Sequence, residues 1–139
     1  MRHAVFVLAL LAVGCHPRRH ATAVAVTRLM YEAPPARVLG DHLDEPSVEP
    51  LLAEQQKLLQ GDAFRRRSLP GDDLAHLDME VRRIKNAPIL ELVFYDSDHA
   101  RALRLCRLVV QTYLAERGHS EGARASVLDG CAPVVLSKK

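Results

Sequence analysis

"FYDSDHARALRLCRLVVQTYLAERG", residues 94–118, decides the fold. An apolar run enters it at Phe94 and Tyr95, an acidic turn follows at Asp96-Ser97-Asp98, and apolar side chains then return every three or four residues. Ala102, Leu105, Cys106, Val109, Val110 and Tyr113 make one helical stripe, while Arg101, Arg104, Arg107, Gln111 and Glu116 line the opposite face. Asp98 stands where its carboxylate can accept hydrogen bonds from the first free N–H groups of that helix. The pattern predicts a strand, a capped turn and a long helix with one buried side.

Upstream, "MEVRRIKNAPILELVFYDSD" reads as two strands, Glu80 to Lys85 and Ile89 to Tyr95, joined through Asn86-Ala87-Pro88. Alternation sets Val81 and Arg83 against Arg82 and Ile84, then Ile89, Glu91 and Val93 against Leu90, Leu92 and Phe94. The second run is nearly all apolar and is expected inside the sheet. "EPSVEPLLAEQQKLLQGDAF", residues 45–64, begins with turn chemistry and continues as a helix with Leu51, Leu52, Gln55, Leu58 and Leu59 along one side, stopped by Gly61. "RRRSLPGDD" is expected as loop and "DDLAHL" as one helical turn. Residues 23–43 offer one or two extended stretches around Pro34 and Pro35, which confine the segment to a sheet edge or to a break between pieces. "SVLDGCAPVVL", residues 126–136, is a final strand. Strand, helix, hairpin, helix, strand is an α+β order: a small, mainly antiparallel sheet with helices packed on one face.

The N-terminus places this domain. "MRHAVFVLALLAVGC" has a basic start at Arg2, an uncharged apolar run from Ala4 to Val13, and Gly14 before Cys15. A membrane-spanning helix needs about 20 apolar residues, so the run is a signal peptide rather than a span. Ala12-Val13-Gly14-Cys15 resembles the lipobox of bacterial lipoproteins, which implies cleavage before Cys15 and diacylation of its thiol. His16 after the cysteine, in place of Asp, favours the outer membrane by the sorting rule of such lipoproteins. The expected organisation is a signal at residues 1–14, a basic lipid-proximal tether at 15–22 and a single α+β domain at 23–139. Cys106 and Cys131 would then meet an oxidising compartment, where a disulfide is allowed. Both also suit the role of small buried apolar residues, and free thiols are the expectation. The net charge of +2 gives no reason to expect a nucleic-acid partner.

Reactive chemistry is thinly signalled. The chain has no Gly-x-Ser-x-Gly, phosphate-binding loop, His-Glu-x-x-His or Cys-x-x-Cys, and its seven histidines are scattered, so no catalytic residue, metal ligand or cofactor is expected. Asp72-Asp73 and Asp96-Asp98 are the carboxylate pairs nearest to acid–base spacing, although helix capping explains both. Arginines are more suggestive. Arg65, Arg66, Arg67, Arg82, Arg83, Arg101, Arg104 and Arg107 could contact an acidic polysaccharide or other polyanion, since guanidinium forks match carboxylates and phosphates. A solvated surface with Asp and Glu partners accounts for the same residues.

The order of several weak motifs resembles the chain-length determinant proteins, the Wzz-type polysaccharide copolymerases. Tyr31-Glu32-Ala33 followed by Ala36-Arg37-Val38-Leu39 resembles the start of their membrane-proximal domain, and Gln56-Lys57-Leu58-Leu59-Gln60 is similar to its helical core. Asp98, Ala102 and Tyr113 match the positions of its later helix, and Val127 to Pro133 loosely matches its last strand. The likeness spans about residues 29–135. His99 replaces the family's usual proline and Arg107 a frequent asparagine. A lipobox stands where the first family span would be, and the sequence reaches only Lys139 where the second would approach. The resemblance implies an α+β domain that acts in polysaccharide assembly or export through a protein partner or its own oligomer, held at the membrane here by lipid.

Overall fold

The structure is a computed structural model that describes residues 23–32, 37–44, 47–117 and 124–135. The opening stretch folds as its pattern requires. Ile89–Asp96 forms strand β5 and His99–Arg117 forms a helix, α4, whose buried residues are Ala102, Leu105, Cys106, Val109, Val110 and Tyr113. At the junction the Asp98 carboxylate accepts a hydrogen bond from the Arg101 N–H at 3.3 Å, and the Asp98 carbonyl accepts one from the Ala102 N–H. Asp98 therefore caps α4.

Chain order gives the remaining elements. They are β1 (Ala23–Tyr31), a small hairpin of β2 (Arg37–Leu39) and β3 (His42–Asp44), helices α1 (Glu49–Gln60), α2 (Asp62–Ser68) and α3 (Gly71–Ala75), then β4 (Met79–Arg83) before β5, and β6 (Ala125–Val135) after α4. The main sheet runs β4-β5-β1-β6 with every neighbouring pair antiparallel. β1 and β4 flank β5, and β5 and β6 flank β1, so two strand-helix-strand units interlock as in the ferredoxin-like arrangement.

A period of two then divides the sheet into faces. Leu90, Leu92 and Phe94 of β5 pair across with Leu29, Thr27 and Ala25 of β1, and Met79 and Val81 of β4 pair with Phe94 and Leu92. All of these residues are buried. Together with Leu52 and Leu59 of α1, Phe64 of α2 and the α4 stripe, the apolar ones form one core on the helix side. The β4–β5 turn closes on Asn86, whose φ of 60° is tolerated by asparagine better than by most residues.

Four expectations need correction or refinement. Residues 65–68 are not loop: the arginine run lies on α2, amphipathic around buried Phe64 and Ser68, where the Ser68 hydroxyl donates back to the Phe64 carbonyl at 2.9 Å. Leu58 is 37% exposed and leaves the α1 stripe, which keeps Leu52, Gln55 and Leu59 buried and Leu51 partly buried against the core. β1 lies between β5 and β6 inside the sheet, which leaves a break between pieces as the meaning of the prolines; Pro34 and Pro35 are outside the described residues. Finally, the cysteines are not free thiols. Cys106 and Cys131 form a disulfide, 6.0 Å between Cα atoms. Pro133 pairs with Ala25 on the helix side, so Cys131 two residues earlier points the same way, toward the fully buried Cys106 of α4.

Candidate functional site

Among the described residues, potential chemistry collects in two places, a groove between α3 and α4 and a buried chain of hydroxyls. The groove has a volume of about 530 Å³ and is lined by Pro70, Gly71, Asp72, Asp73, His76, Arg101 and Arg104. Arg101 does not face it as a free cation. Its Nε and Nη2 donate to both oxygens of Asp96 at 2.7 and 2.6 Å, and Asp96 also accepts the Asp98 N–H at 2.8 Å. Arg104 is likewise bonded to the buried Asp73. A polyanion entering here would have to displace two carboxylates, one 3% exposed at its side chain, and stranding a buried charge is strongly destabilising.

Burial alone pushes the Asp96 carboxyl upward, but hydrogen bonds from Arg101 and the Asp98 N–H outweigh it and hold the group below the ordinary carboxylate value. A depressed carboxyl contributes stability that is complete above the unfolded-state value, about 4, and is lost as pH falls through the lower folded-state value. Asp96→Asn should therefore be less stable than wild type at neutral pH yet lose less on acidification below about pH 4. Acid unfolding followed by circular dichroism checks this; parallel curves for the two proteins would show that Asp96 is not the responsible group.

The second place is the core itself. The Tyr31 and Tyr113 hydroxyls lie 2.6 Å apart, and the Tyr113 hydroxyl donates to Gln55 Oε1 at 2.9 Å, so Tyr31 donates to Tyr113 and Tyr113 to Gln55. All three side chains are buried. Burial raises both phenols above their ordinary value, which keeps them protonated and unsuited as nucleophiles or bases near neutral pH. Tyr31 and Tyr113, two of the residues behind the family resemblance, thus meet across β1 and α4. Gln55 joins them from α1. Its signal was visible as a polar residue within an apolar helical stripe, which must find a partner when buried.

The arginines divide by location. Arg67 is bidentate to Glu116 at 2.8 and 3.2 Å and holds that carboxyl below its usual value. Arg82 donates to Glu80 at 2.9 Å and to the Tyr95 hydroxyl at 2.7 Å, on the sheet face away from the helices, whereas Arg83 reaches Glu49 of α1 on the helix side. Arg65 contacts the Met79 carbonyl at 3.4 Å and, with Arg66, Asp62, Leu74 and Leu77, lines a smaller hollow of about 260 Å³. Arg66 and Arg107 are exposed and form no ion pair among the described residues. Asp72 and Asp73 do not cap α3, which begins after Pro70 without a side-chain cap. No group of three His, Cys, Asp or Glu side chains is placed to hold a metal among the described residues, and no helix there is long and apolar enough to cross a membrane. Cys15 lies outside the described residues.

No family model matches the chain, and no curated protein is similar to it. Among solved structures it is similar to an amidase of the hydantoinase/carbamoylase family from Burkholderia phymatum, at 18% identity and a TM-score of 0.36. That likeness covers 84% of this chain but 31% of the amidase, and at this level it bears on neither fold nor activity.

Proposed function

We propose that this protein is a lipid-anchored interaction domain of the bacterial cell envelope, on the periplasmic side and at the outer membrane, that serves polysaccharide assembly or export without catalysing a step. The Cys106–Cys131 bridge carries the compartment part of this reading, because disulfides of this kind persist outside the reducing cytosol. A lipobox-like Cys15 agrees with it independently. The polysaccharide part rests on the family resemblance through Tyr31, Gln56, Asp98, Ala102 and Tyr113. Action by contact rather than by reaction is supported by the state of the polar groups: Arg67, Arg82, Arg83, Arg101 and Arg104 are engaged by the protein's own carboxylates, and the buried phenols by each other.

Deleting the gene should change the amount, length distribution or surface retention of an exported polysaccharide, and Cys15→Ala should complement poorly. Gel profiles of the extracted polymer check this. Unaltered polymer in a deletion strain, under conditions where the wild type makes the protein, would overturn the assignment.

A further inference from the structure

Arg65 and Arg66 of α2 stand apart from the other arginines around the helices. Arg67, Arg83, Arg101 and Arg104 each meet a carboxylate of the chain itself, which compensates their charge. Among the described residues neither Arg65 nor Arg66 has an ion pair. Arg65 is half-buried, its Nη2 donates only a long bond to the Met79 carbonyl at 3.4 Å, and its Nε is buried with no acceptor. A partly desolvated guanidinium left without a counter-charge is costly, and the fold keeps this one.

Both side chains line the hollow of about 260 Å³ between α2 and α3, together with Asp62, Leu74 and Leu77. Its walls are fixed. Asp62, Arg65 and Arg66 lie three and four residues apart on one face of α2, a helix anchored by buried Phe64 and Ser68, while Leu74 and Leu77 pack against the core. The larger groove between α3 and α4 differs, because Asp73 and Asp96 already occupy its arginines.

Three features of the hollow define what fits. Two guanidinium groups call for an anion, and they match a planar carboxylate through parallel N–H donors. Asp62 limits that anion. With two cations and one carboxylate in its lining the hollow lacks a single negative charge, so a doubly charged phosphate monoester is opposed, whereas a monocarboxylate with neighbouring hydroxyls can donate one of them to Asp62. Leu74 and Leu77 supply an apolar wall, against which the C–H face of a sugar ring lies without stranding its hydroxyls. The volume falls below the roughly 300–1,000 Å³ of pockets that enclose a drug-sized ligand, which suits one ring at a time.

We propose that the α2–α3 hollow binds a hexuronate unit, a sugar bearing one carboxylate, with that carboxylate on Arg65 and Arg66, a ring hydroxyl on Asp62 and the C–H face on Leu74 and Leu77. The choice of a sugar among hydroxy acids rests on the polysaccharide reading; the uncompensated charge of the hollow does not. Such a site gives the protein its own hold on an acidic polymer.

NMR titration of the full, isotope-labelled chain in detergent with galacturonate tests it, followed at the Leu74 and Leu77 methyls. A single ring at an open site binds with an affinity on the order of 1 mM, within reach of the method. Wild type should show saturable shifts at both leucines, and galactose, which lacks the carboxylate, should leave them in place. Arg66→Gln should weaken galacturonate about fivefold and Arg65→Gln about tenfold. Arg107→Gln should leave binding unchanged, since Arg107 is equally exposed and unpaired but lines neither hollow. Arg66 is exposed and carries the test should Arg65→Gln misfold. Asp62→Ala should reduce the preference for galacturonate over acetate, because it relieves repulsion for both acids but removes a hydroxyl acceptor from the sugar alone. Absent leucine shifts, equal losses in Arg66→Gln and Arg107→Gln, an unchanged preference in Asp62→Ala, or a stronger response at the same leucines to phosphatidylglycerol in the micelle would overturn the proposal. Galacturonate binding by a protein whose deletion leaves the polymer unaltered would keep this site and remove the polysaccharide role; the reverse pair of results would remove the site alone.

Discussion

Cys131→Ala should lower the stability of the oxidised protein by about 3.5 kcal/mol, the chain-entropy value for a loop closed across 25 residues. Cys131 is the better site for this substitution because it is half-buried at the sheet edge, whereas Cys106 is fully buried among the α4 residues and its loss would add a cavity. The bridge matters here because β6 is otherwise an irregular edge strand. Its pairing with β1 is interrupted twice by register shifts, and its Val127 and Leu128 are 39% and 49% exposed, so apolar burial holds it weakly. A covalent tie to the central helix supplies what the packing does not. Urea unfolding checks the value, and a reductant should bring wild type down to the variant while leaving the variant unchanged. Equal midpoints for oxidised wild type and variant would contradict the role assigned to the bridge.

Tyr113→Phe should cost about 1–3 kcal/mol although it removes a single oxygen. The ring would keep its edge-to-face contact with Phe64, 6.1 Å between centroids, so packing is little changed. What is lost is the middle of a buried chain: Gln55 Oε1 loses its donor and the Tyr31 hydroxyl its acceptor. Tyr31→Phe should cost less, since the Tyr113–Gln55 bond survives it. Adding Tyr31→Phe and Gln55→Leu to Tyr113→Phe should recover part of the loss, because apolar groups in place of all three polar ones leave no stranded donor or acceptor. Denaturant midpoints of the four proteins check the order; strictly additive costs would show that the three groups do not act as a unit.

Much of this fold was legible because its strongest elements are periodic. The α4 stripe and the alternation of β5 each follow from where apolar side chains recur, and Asp98 from the chemistry of a helix start. Legibility failed where a residue's environment comes from a distant part of the chain. Arg65 to Ser68 read as loop in the sequence because three arginines hide a helix that buries only Phe64 and Ser68. Cys106 and Cys131 each suited a buried apolar position, and nothing local reports that α4 and β6 bring them together. For Asp73 and Asp96 the carboxylates themselves stand out in the sequence, but their engagement with Arg104 and Arg101 depends on how α3, β5 and α4 meet. The cross-strand charges on the sheet face away from the helices, Arg82 opposite Glu91, Glu91 opposite Arg28 and Arg28 opposite Asp129, are of the same kind. Arg28, Glu91 and Asp129 are unremarkable in sequence and become a pattern only once strand order and register are known.

The central claim, an exported and lipid-held domain closed by a disulfide, is tested most directly by the intact mass of the protein taken from the envelope fraction of its own cells under non-reducing conditions. The account predicts a chain that begins at Cys15, carries acyl lipid there, and gains the mass of two hydrogens on reduction of the Cys106–Cys131 bridge. A chain that still holds residues 1–14 without lipid, or whose mass is unchanged by reduction, would contradict it.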